Sequence, residues 1–125
     1  MKHDCIGLTL PAKADYILTV RMLVASIASR MDFSIDSIED LKAGAAEACI
    51  LFLTAKKVPQ TLKLEVTVGD EFALQIVGDG ELTERTGAQD EGDELAKCLI
   101  EEFYDDATYN YNGDTLAKIE LKKRV

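Results

Sequence analysis

Hydrophobic positions along the chain follow two different periods. Ile6, Leu8 and Leu10 alternate with Gly7 and Thr9 ahead of Pro11, the spacing of a half-buried strand that proline ends. From about Lys13 to Met31 the period changes: Ile17, Val20, Leu23, Val24, Ile27, Ala28 and Met31 recur at helical spacing, with Arg21 and Arg30 on the more polar side. Phe33-Ser34 followed by Ile38 fits a serine N-cap with a hydrophobic staple, so a second helix is predicted to enter at a fixed angle and to run through Leu53. At about 3.6 residues per turn, Ile38, Leu41, Ala45, Ala48, Cys49 and Phe52 form its main core face, while Asp40, Gly44, Glu47 and Leu51 fall in a second stripe. Ile50 and Leu53 lie opposite Phe52. A helix apolar on both sides is expected to be sandwiched between a sheet and the first helix, and Glu47 is the carboxylate that interrupts it.

Beyond Pro59 the period returns to that of strands. Leu62, Leu64, Val66 and Val68 alternate with polar residues, Gly69-Asp70 reads as a two-residue hairpin turn with glycine first, and Phe72, Leu74 and Ile76 continue on the return strand. Gly78 to Gly92 is rich in glycine and acids without apolar periodicity and is predicted to be a loop. Leu95, Cys98, Leu99, Glu102 and Phe103 follow helical spacing over a short third helix beginning near Asp90 to Asp93, where acids suit the N-terminal dipole. Ala107, Tyr109 and Tyr111 lead to the hairpin signal Asn112-Gly113 and on to Ala117, Ile119 and Leu121. Strands paired as hairpins with helices between them predict an α+β fold: a two-layer sandwich with helices on one face of a mixed, mostly antiparallel sheet.

Composition narrows the function classes. At 125 residues the chain suits one domain, 1–125, with a single core. Its net charge of −9, with no tryptophan and few aromatics, argues against nucleic-acid binding, which needs a basic face, and disfavours an anionic membrane. No run approaches a membrane span, and Met1-Lys2-His3-Asp4 leads into an alternating strand pattern rather than a secretory signal. Cys5, Cys49 and Cys98 are widely spaced without a CxxC pair and are predicted to be buried, reduced thiols in a cytoplasmic protein. The acids between Asp79 and Asp106 lack the spacing of a calcium loop and read as a solvated loop and helix face, so no metal site is expected. His3 is a lone terminal residue, Cys49 an apolar filler, and Tyr109 and Tyr111 suit a half-buried strand better than a base-stacking platform.

Leu10-Pro11-Ala12-Lys13, Ala28-Ser29-Arg30-Met31, Ile38-Glu39-Asp40-Leu41-Lys42, Glu47-Ala48-Cys49 and the tail from Glu101 through Phe103, Asp105 and Asp106 occur in an order and spacing that span nearly the whole chain. In these the sequence resembles the bacterial anti-sigma factors of the serine-kinase type, within the histidine-kinase-like ATPase superfamily. The resemblance implies the two-layer, Bergerat-like sandwich that the periodicity already predicts. It also implies that Glu47 stands where such kinases carry a general base toward a target serine. One turn later, at the position of an asparagine that holds magnesium on the ATP phosphates, this chain has Leu51.

Leucine offers no oxygen to a cation that demands near-octahedral oxygen ligands. At the adenine-reading aspartate the chain reads Val77-Gly78-Asp79-Gly80-Glu81. Aligned on the strand, Gly78 takes the aspartate's place; shifted by one, Asp79 serves but the following glycine becomes Glu81. Where a glycine-rich lid would meet the phosphates, the third helix opens on Asp93-Glu94, which satisfy the helix dipole themselves and repel phosphate by ~4 kcal/mol per close charge pair at an intermediate dielectric. The nucleotide site therefore reads as degenerate, with no cofactor expected. The protein is expected to act by binding a sigma factor or an anti-anti-sigma, STAS-like partner, with Arg21 on the partner face and a homodimer in keeping with the family. The rival reading is an active serine kinase whose Mg-ATP is held by other groups such as Asp79 or Asp40.

Overall fold

A computed structural model describes residues 3–85 and 93–125. The order is β1 (Asp4–Pro11), a 3-10 turn (Ala14–Tyr16), α1 (Ile17–Ala28), α2 (Ile35–Leu53), β2 (Lys57–Val58), β3 (Thr61–Val68), β4 (Glu71–Asp79), β5 (Thr83–Glu84), α3 (Asp93–Phe103), β6 (Asp106–Asn112) and β7 (Thr115–Arg124). Five strands form one sheet in the order β1-β3-β4-β7-β6, and every pairing in it is antiparallel. Leu62, Leu64 and Val66 on β3 and Phe72, Leu74 and Ile76 on β4 are buried on one face, where α1, α2 and α3 join them in a continuous hydrophobic cluster. This is the α+β two-layer sandwich that the periodicity predicts.

The second helix begins as its cap residues dictate. Ser34 is extended, its hydroxyl oxygen accepts from the Ser37 amide at 3.1 Å, and Phe33 and Ile38 flank it against the core. The predicted core face is buried at Leu41, Ala45, Ala48, Cys49 and Phe52, and Gly44 and Leu51 of the second stripe are buried as well. Both faces are covered because α2 packs against α1 on one side and α3 on the other. Among the described residues no helix is long and apolar enough to cross a membrane.

Several expectations are corrected. The stretch from Gly78 is not all loop: β4 continues to Asp79, and Thr83–Glu84 form a strand that pairs with Lys57–Val58. Residues 86–92 of that predicted loop lie outside the described residues. At the first hairpin the register pairs Val68 with Phe72, leaving Gly69, Asp70 and Glu71 between them rather than two residues. At the last hairpin Asn112 pairs with Thr115, so the turn residues are Gly113 and Asp114, with Gly113 at a φ of 65° that favours glycine. The core side of α3 is Ala96 and Ile100 with the following Tyr104, whereas Leu95 points to solvent. Of the three cysteines only Cys49 is buried; Cys5 and Cys98 are exposed, because each occupies the outer position of its element's period.

Candidate functional site

The C-terminal end of α2, the start of α3 and the tip of the β6–β7 hairpin surround a cleft of about 850 Å³. Leu51, only 4% exposed, sits at its base beside Leu116, and Asp93 at its rim. The buried side chain of Leu51 presents no oxygen to a cation, and among the described residues no three His, Cys, Asp or Glu side chains gather as a metal cage. Glu47, one turn earlier on the same stripe, is half-buried, does not line the cleft, and makes no hydrogen bond or ion pair among the described residues. Glu94 is exposed on the first turn of α3 and also stands outside the lining.

A second cleft of about 250 Å³ lies next to the first and holds Gly78, Asp79 and Gly80. Alternation along β4 decides which of these faces the helices. Phe72, Leu74 and Ile76 are buried, so Gly78 shares their side, and a Cβ built there would lie 3.0 Å from Pro59 Cγ and 3.3 Å from Phe52 Cε1. Asp79 belongs to the opposite parity. Its carboxylate pairs at 3.1 Å with Lys63, which stands between the buried Leu62 and Leu64 on the open face of the sheet. Gly80, at a φ of 86°, turns the chain away from β4 with the Gln60 side chain against it.

The fold thus brings Leu51, Gly78, Asp79, Gly80 and Asp93 around one hairpin tip and leaves Glu47, Glu94 and Arg21 outside it. Arg21 lies on α1, half-buried and without an ion pair among the described residues, and α2 stands between that helix and α3.

Some of the residues that shape the site gave no sequence signal. Lys97 on α3 donates its ammonium to the Tyr111 hydroxyl at 2.9 Å and lies 4.9 Å and 5.3 Å from the ring centres of Tyr109 and Tyr111. The Tyr111 hydrogen bond foremost, with the charges of Asp93 and Glu94 behind it, raises the Lys97 pKa against an opposing desolvation. Burial pushes Tyr109 up to about 12, and its hydroxyl is buried without a partner among the described residues. Because Tyr111 also lines the large cleft, this clasp joins the α3 wall to the hairpin wall. Lys97 stands 14 residues before Tyr111 on a different element, and no local pattern announces such a contact.

No family model matches the chain. A stretch of 48 residues, 38% of this chain, is 46% identical to the serine-protein kinase RsbW of Bacillus thuringiensis (strain Al Hakam), where it covers 30% of that protein. Serine-protein kinase RsbW of Bacillus mycoides (strain KBAB4) matches over the same length at 42% identity, and that of Bacillus cereus (strain B4264) at 46%. The matched stretch spans about 30% of the length of these relatives, so the chain is similar to the serine-protein kinases over that part alone.

Proposed function

We propose that residues 1–125 form one histidine-kinase-like ATPase domain that acts as an anti-sigma-factor-like regulator through protein–protein binding, without functional ATP binding. The observation that carries the reading is Leu51, a buried apolar side chain at the base of the cleft, at the position where the resembling kinases hold their metal. The open-face pairing of Asp79 with Lys63 and the packing of Pro59 and Phe52 over Gly78 support it, since neither leaves a carboxylate on the helix side of β4 to read a base. Asp93 and Glu94 on the first turn of α3 add charge that repels phosphate. The partner is a sigma factor or an anti-anti-sigma, STAS-like protein in the cytoplasm, with Arg21 offering bidentate hydrogen bonds to a partner carboxylate and a homodimer as the assembly.

Isothermal calorimetry with magnesium-ATP tests the reading. No saturable heat is expected up to millimolar nucleotide, and saturable micromolar binding would overturn it. A triple variant, Leu51→Asn with Asp93→Gly and Glu94→Gly, is expected to gain measurable nucleotide affinity over the parent. For the partner face, Arg21→Ala is expected to weaken capture of a sigma-system protein from native lysate by about tenfold, the scale of losing one charge-assisted bidentate contact. The second reading is an active serine kinase with Glu47 as base, favoured by the 48-residue match to serine-protein kinases; radiolabelled phosphate transfer to a partner serine would establish it.

A further inference from the structure

The five-stranded sheet has two edges, β1 and β6, and they differ. On β6 the register shifts between Asn110 and Tyr111, a bulge of the kind that keeps another strand from pairing. β1 has no such break. All eight residues from Asp4 to Pro11 pair in step with β3, and no charged side chain stands between Cys5 and Leu10. Among the described residues no strand pairs with its other side. An unbroken edge of this kind presents backbone donors and acceptors that an extended segment satisfies.

Alternation fixes what such a segment meets. Ile6 and Leu8 are half-buried on the helix side beside the buried Leu10, so the apolar layer continues to the edge there. Cys5, Gly7 and Thr9 are exposed on the open face. Gly7 lies directly opposite Glu65 of β3, and a Cβ built on it would meet nothing nearer than the Leu64 carbonyl oxygen at 3.9 Å, so packing does not demand a glycine. The missing side chain instead leaves Glu65 unscreened toward the edge. Glu65 also leans that way: its hydrogen bond with the Cys5 thiol is the first cause of a raised Cys5 pKa. Lys63, the neighbouring open-face residue on β3, is drawn the other way by Asp79 of β4 at 3.1 Å. The open-face side of this edge is therefore acidic, and its helix side is apolar.

We propose that the β1 edge takes an extended segment of a partner protein as an added strand, and that this segment carries a lysine or arginine flanked by apolar residues. The base stands opposite Gly7 and reaches Glu65 across it, while its two neighbours cover Ile6 and Leu8. A second copy of this chain does not fit the edge: its β1 contains no base, and it brings another Glu65 to the same place. The net charge of −9 likewise attracts a basic segment and repels another copy. The inference stands apart from whether nucleotide binds.

The probe is a short peptide alternating valine with threonine, with lysine in place of the central threonine. It is titrated into the whole chain by calorimetry at low salt, and hydrogen exchange with mass spectrometry locates it. Saturable binding is expected, with exchange slowed in residues 4–11 and unchanged in 106–112. Glu65→Gln, at an exposed position, and a probe with glutamate for lysine are each expected to weaken binding at least about tenfold, and a probe N-methylated throughout to lose it. The absence of saturable heat would overturn the proposal, as would binding indifferent to Glu65→Gln or to N-methylation, or protection in 106–112 instead. Protection of residues 4–11 that grows with protein concentration in the absence of peptide would overturn it too, because a second copy would then hold the edge.

Discussion

Tyr104, just beyond α3, reaches across to donate its hydroxyl to the Leu41 carbonyl of α2 at 2.7 Å, and its ring lies against Gly44. A Cβ added at Gly44 would fall 2.6 Å from Tyr104 Cε1, inside any real contact distance. Replacing glycine by alanine in a helix interior ordinarily gains about 1 kcal/mol. Here the ring has nowhere to go, because Tyr104 is 3% exposed and packs on Phe72 at a centroid separation of 6.4 Å. Overpacking of about 1–3 kcal/mol should therefore win. Gly44→Ala is expected to lower urea-unfolding stability in spite of its better helix propensity, and Tyr104→Phe to cost about 1 kcal/mol for the lost hydrogen bond. A stabilised Gly44→Ala would show that α2 and α3 are not in this contact. At this scale the sequence is half legible: Gly44 sits in the same stripe as Glu47 and Leu51, but nothing in the chain says that the close neighbour is a tyrosine about 60 residues on.

Elements were readable wherever a period or a cap defined them. Ser34 with Phe33 and Ile38 located the start of α2, and the same geometry implies that Ser34→Ala costs about 1 kcal/mol in a urea titration, since the Ser37 amide loses its acceptor. The ribbon of β2 and β5 escaped because two-residue strands have no period, and their pairing depends on partners brought together by the fold. The face of α3 was misplaced for a different reason. Large Leu95 and Leu99 outweigh small Ala96 in any hydrophobic reading, yet the slot against α2 accepts Ala96 and Ile100 and leaves Leu95 outside. In the candidate cleft, the inward position of Leu51 was legible because helical spacing sets it on one stripe with Gly44, and both are buried. The orientation of Gly78 and Asp79 was not, since a shift of one residue exchanges the two sheet faces, and only the register of β4 against β3 and β7 fixes it.

For the whole molecule, pH tests whether the sandwich is as closed as its burial implies. On the acid side Asp105 accepts from the Arg124 amide at 2.7 Å, and that hydrogen bond, aided by the Lys123 and Arg124 charges, holds its pKa below the usual carboxylate range. A depressed carboxylate contributes stability that is present above its unfolded pKa and lost as pH falls through its folded value, so a small acid limb is expected. The alkaline limb should be steeper. Burial pushes the Cys49 thiol from 9.0 up to about 12, and the Tyr104 phenol is raised by burial as well. Both stay protonated in the fold at pH values where the unfolded chain has released its protons, so stability is full below the unfolded pKa and falls as pH rises above about 9. Each group adds a slope of up to about 1.4 kcal/mol per pH unit once its unfolded form titrates. Self-repulsion of a chain with a net charge of −9 grows over the same range, but added salt screens it, whereas the cost of ionising an atom inside the core remains. Urea unfolding from pH 7 to 11 is accordingly expected to show a loss that persists in high salt, with a shallower alkaline slope in Cys49→Ala. A flat profile, or one that salt restores in full, would mean that solvent reaches Cys49 and Tyr104 in the folded protein and that α2 is not covered on both sides.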